Sequence, residues 1–72
     1  MITVKEFKKR SEKLFLKANP TATITGWTMR PKLVKFPTGV KGLLGEFHAV
    51  AVGHRPSIIQ ADYDEVYGLS VR

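Results

Sequence analysis

Cysteine is absent from the 72-residue chain, so disulfide frameworks, thiolate zinc sites and cysteine nucleophiles are all excluded. Long apolar runs are missing too. The longest stretch free of Asp, Glu, Lys and Arg runs from Ala18 to Met29, 12 residues rich in Thr. A membrane-spanning helix needs about 20 apolar residues, so no membrane insertion is expected. No basic start leads into an apolar core and a small-residue cleavage site, which predicts no signal peptide and a cytoplasmic location. Acidic residues are scarce: 6 Asp+Glu stand against 12 Lys+Arg, a formal net charge of +6. The length leaves room for one compact domain and excludes a two-lobed enzyme with a cleft between domains. Net stability of about 4–11 kcal/mol follows from the usual per-residue range.

The clearest local signal opens the chain. Thr3 is followed three residues later by Glu6, the spacing of a capping box. In that motif the hydroxyl accepts from the N–H of residue 6 and the carboxylate reaches back to the N–H of residue 3. Ile2 and Phe7 stand where a hydrophobic staple would place them. Val4, Phe7, Ser11, Leu14, Phe15 and Ala18 recur at helical spacing, with Lys5, Lys8, Lys9, Arg10, Glu12, Lys13 and Lys17 on the other face. Asn19-Pro20 supplies the stop, because Asn tolerates a left-handed end and the residue before Pro avoids the helical region. The pattern predicts a helix over residues 4–18.

Beyond Pro20 the period changes to that of extended chain. Thr21 to Met29 suits a strand, and a bulge at Gly26 would return Ala22, Ile24, Trp27 and Met29 to one side. Arg30-Pro31 interrupts pairing or marks a sheet edge, and Leu33 to Phe36 continues extended. Pro37 to Gly45 holds three glycines without a strong period and reads as a mobile loop. Glu46 to His54, Ile58 to Asp62 and Leu69 to Val71 read as further strands, with turns at Arg55-Pro56-Ser57 and Asp64 to Gly68. One helix followed by three or four antiparallel strands buries both apolar surfaces by packing helix on sheet. The expected architecture is thus a single two-layer α+β domain over residues 1–72. The element order and the ending Ile59-Gln60-Ala61-Asp62-Tyr63-Asp64-Glu65-Val66-Tyr67-Gly68 loosely resemble the helix-plus-sheet modules called PepSY domains. These often finish with an apolar strand, an Asp and a Gly turn. Such tokens are common, and no family membership is read from them.

Charge is unevenly distributed. Residues 1–41 hold ten Lys+Arg and two Glu, a net +8, whereas residues 42–72 hold two Arg and four acids, a net −2. Lys5, Lys8, Lys9 and Lys13 form a basic helix surface, and Arg30, Lys32, Lys35 and Lys41 a second cluster. Brought onto one face, these eight would follow a phosphate backbone or an acidic protein. Six engaged phosphates on duplex DNA would give a logarithmic salt slope of about −5. The competing reading is a solvated helix face plus a charged sheet edge that resists aggregation. Trp27, near Arg30 and Lys32, reads either as a stacking platform or as a ring capping the small core. Phe7, Phe15 and Phe47 read as core.

Chemistry beyond binding has little to stand on. His48 and His54, six apart on one expected strand, would lie about 20 Å from each other, too far to share a metal. Asp62, Asp64 and Glu65 lack the glycine and later Glu of a helix-loop-helix calcium site and read as an acidic turn. No serine has an elbow sequence, and Gly39, Gly42 and Gly45 lack the Lys-Ser or Lys-Thr of a phosphate loop. Glu46 and His48, two residues apart on one strand face, read equally as a dyad or as a chance pair. No catalytic residue, metal or cofactor is expected. The leading expectation is a non-catalytic binding module for an acidic partner, nucleic acid or protein. The alternative is a structural or regulatory interaction domain, with a homodimer formed through a sheet edge or open face.

Overall fold

The computed structural model describes residues 2–72. Helix α1 spans Val4–Ala18, followed by strands β1 (Thr23–Lys35), β2 (Lys41–Val50), β3 (Ser57–Asp64) and β4 (Gly68–Val71). The four strands form one antiparallel sheet in the order β1-β2-β3-β4, and α1 packs across one face of it. This is the expected two-layer α+β architecture. No helix among the described residues is long and apolar enough to cross a membrane.

The start of α1 is held as its spacing predicts, but only by half of the capping box. Thr3 Oγ1 accepts from the Glu6 N–H at 3.1 Å. The Glu6 carboxylate does not return to Thr3; it accepts from Arg10 Nε at 2.9 Å, one turn onward. At the other end Asn19 has φ −135°, so the helix closes without a left-handed residue. Its backbone N–H and side-chain amide both donate to the Phe15 carbonyl, at 2.9 and 3.1 Å. These bonds satisfy an otherwise orphaned helix-end acceptor. The buried stripe is narrower than the periodicity suggests. Phe7 and Ser11 are fully enclosed and Phe15 is half-buried, whereas Val4, Leu14 and Ala18 are exposed.

Cross-strand register assigns the two sheet faces. Trp27 lies opposite Phe47, Ile24 opposite Ala49, and Phe47 opposite Ile59, so these side chains share the helix-covered face. There Phe7, Leu43, Phe47, Ala49 and Ala61 form the buried core, with Ile2, Phe15, Ile24, Trp27, Ile59, Tyr63, Leu69 and Val71 packed around it. Burying several aromatic and aliphatic side chains, each worth about 1.5–3 kcal/mol, supplies the main drive to collapse.

Strand β1, an edge of the sheet, runs on through Arg30-Pro31 but leaves both residues without partners in the register; it takes register shifts between Ile24 and Gly26, Trp27 and Met29, and Met29 and Lys32. The first shift brings Ile24 and Trp27 to one face, as the alternation required. The second sends Met29 to the other face, opposite Glu46, so Met29 does not share a side with Ile24 and Trp27 as one bulge at Gly26 would have had it.

The segment Pro37 to Gly45 is not one mobile loop. Its second half, Lys41 to Gly45, belongs to the central strand, and the connection is a short turn closed by Phe36 N–H to Val40 carbonyl at 2.9 Å. The glycines there answer to close packing. A Cβ on Gly42 would collide with the Tyr63 carbonyl and come within 2.6 Å of the Phe36 ring, and one on Gly45 would sit 2.9 Å from the Trp27 ring. Strand β2 also ends earlier than its alternation suggests, at Val50, which places His54 in the following turn rather than on a strand with His48. In the acidic turn, Asp64 Oδ1 accepts from the Val66 and Tyr67 N–H groups at 2.8 and 2.6 Å, and Asp62 pairs with Arg72 at 3.0 Å. Both carboxylates have local structural partners. No group of three His, Asp or Glu among the described residues is arranged to hold a metal ion.

Candidate anion-binding groove

Helical spacing puts Lys5, Lys8 and Glu12 on one flank of α1, with Lys9 beside them. That flank runs along edge strand β1, where Trp27 and Arg30 are set by the bulges described above. Thr3, Val4, Lys5, Lys8, Lys9, Glu12, Trp27 and Arg30 line the resulting open groove. Four cations from two separate stretches thus surround a single carboxylate. That carboxylate is engaged: Glu12 Oε2 accepts from Trp27 Nε1 at 2.8 Å.

Trp27 ties the groove to the core. Its ring lies 4.9 Å from that of Phe47 and 6.0 Å from that of Phe7, both tilted by 52°, while Phe15 meets Phe47 edge-on at 5.4 Å. Such tilted arrangements suit the aromatic quadrupoles. The absence of a side chain on Gly45 makes room for the indole. Lys8 Nζ stands over the indole, 5.7 Å from its centroid, near the outer limit of a cation–π interaction. Trp27 is only half-buried. It therefore caps the core and contributes an aromatic surface to the groove at once, where the residue pattern offered these as alternatives.

The eight cations singled out from the sequence do not form one patch. Lys5, Lys8, Lys9 and Arg30 meet in the groove. Lys13 lines a separate depression with Arg10, Leu14, Lys17 and Leu69, on the β4 side of the helix. Lys32 is opposite Leu44, which is itself opposite Asp62, so it belongs to the sheet face away from α1. Lys35 and Lys41 oppose each other at the end of the β1-β2 hairpin. The cluster of cations in the groove is accordingly smaller than the charge count implied. Glu12 and Gly45 escaped the sequence reading. Glu12 shares a helix flank with Lys8 four residues earlier, a signal present in the chain; the role of Gly45 emerges only when β1 is laid beside β2.

Compared with protein-family models, curated proteins and solved structures, the chain finds no match.

Proposed function

We propose that this chain is a small, non-catalytic binding module that docks a polyanion, nucleic acid or acidic protein, in the groove between the first half of α1 and β1. One observation carries the reading: Lys5, Lys8, Lys9 and Arg30 converge on one concave lining whose only carboxylate, among the described residues, is held by Trp27. Clustered like charge in a concavity focuses the field and speeds capture of the opposite charge. Repulsion among these cations is relieved when a polyanion enters.

The test is a polarisation titration with labelled heparin at low salt. Reversing charge in the groove, with Lys5→Glu and Arg30→Glu together, is expected to weaken binding by about tenfold or more, since it takes away two attractive charges and adds two repulsive ones. Lys35→Glu with Lys41→Glu, outside the groove, should change it by less than about threefold on the same grounds. Four engaged cations correspond to a salt slope of about −3 to −4. The opposite ranking of the two double variants refutes the site.

Self-association through the β1 edge draws less support. The register shifts along β1 bend and twist that edge strand, and such irregularity works against adding another strand.

A further inference from the structure

The groove contains the chain's single tryptophan, and its setting narrows the ligand class; this inference rests on the reading of the groove as a polyanion site. The indole is held in one orientation by the Glu12 hydrogen bond and by its ring contacts with Phe47 and Phe7. What stands over it is a flexible lysine, Lys8, near the distance limit of a cation–π interaction. An acidic polypeptide would use the cations and draw nothing from the ring. A nucleotide strand offers both partners: phosphates for the cations and a flat π-face for the indole. In a duplex the bases are already stacked on one another and none is free to give.

We propose that the groove binds single-stranded nucleic acid, with one base stacked on Trp27 in the place that the Lys8 ammonium occupies in the free chain. Lys8 swings from the ring to a phosphate, and Lys5, Lys9 and Arg30 take the flanking phosphates. Base stacking takes over the ring face that Lys8 vacates, and the lysine finds an anionic partner instead. No bond is made or broken in the exchange.

Because Trp27 is the sole tryptophan, its emission reports on this step directly. The full chain is titrated with short oligo(dT) and oligo(U), an abasic strand of the same length, a duplex, and polyglutamate. Either base-bearing single strand is expected to bind more tightly than the other three and to quench Trp27, while the abasic strand leaves the emission unchanged. Trp27→Leu should weaken oligo(dT) binding by about 5- to 150-fold, the range of one stacked base, and abasic-strand binding by clearly less. Trp27→Phe should fall between the two. If Trp27→Leu does not fold, the quenching comparison on the unaltered chain decides alone. Equal binding of oligo(dT) and abasic strand, or of oligo(dT) and polyglutamate, overturns the stacking assignment while leaving the polyanion reading in place. Failure of all five probes at low salt removes both.

Discussion

Replacing Ser11 with alanine should make the protein more stable. Ser11 is completely enclosed, and its hydroxyl has no hydrogen-bond partner. It occupies the buried stripe of α1, four residues from both Phe7 and Phe15. Leaving a hydroxyl without a partner in an apolar interior costs about 1–3 kcal/mol on mutational scales. Alanine is also the better helix former, by a few tenths of a kcal/mol. Against this, removing one oxygen forfeits some dispersion attraction and leaves a void no larger than a methyl group, at about 1 kcal/mol. The balance favours Ser11→Ala by about 1 kcal/mol, a sizeable share of a small domain's stability. For a chain of this size that amounts to a rise in Tm of about 4–8 °C, read by circular dichroism on heating and by the midpoint of urea unfolding. The valine variant separates relief of the polar group from filling of space: with two methyl groups in a tight site, it should overpack and lose stability. An alanine variant equal to or weaker than the parent refutes the reasoning, since it would show that the hydroxyl finds a partner such as the Phe7 carbonyl.

Two further outcomes test the packing and the turns. Gly45→Ala should cost about 1–3 kcal/mol in urea unfolding, because the new methyl group meets Trp27 at 2.9 Å and Pro31 at 3.2 Å, and it should shift the wavelength of tryptophan emission as the indole is displaced. Asp64→Ala removes the acceptor of two turn hydrogen bonds; a loss of about 1–3 kcal/mol is expected, along with faster amide exchange at Val66 and Tyr67.

How much of this was legible beforehand depends on the range over which each signal acts. The limits of α1 follow from Thr3, the apolar period and Asn19-Pro20, all local, and they agree with the structure residue for residue. Alternation points to three or four antiparallel strands, and the missing N–H of proline to an interruption or an edge at Arg30-Pro31; the order of the strands in the sheet comes from the structure. What misled was glycine. Gly42 and Gly45 have the look of chain freedom, but both lie where a neighbouring backbone or ring leaves no space for a side chain, and that requirement exists only after β1 and β3 flank β2. The cationic surface illustrates the same limit. Lys5, Lys8 and Lys9 share a helix region by simple periodicity, and Arg30 joins them through the bulged path of β1. The alternation of that same strand carries Lys32 to the far side of the sheet.

The sheet order repeats the chain order, strand after strand. Each hairpin therefore forms between neighbours joined by a short turn, with little loop-closure entropy to overcome. The exception is α1, which touches β4 at the opposite end of the sequence. Folding should divide accordingly into early zipping of hairpins and later sealing by the helix, with Phe47 and Leu43 wetted until the lid closes. Side chains that make the seal, Phe7 foremost, would then govern how long the native state survives rather than how quickly it is reached.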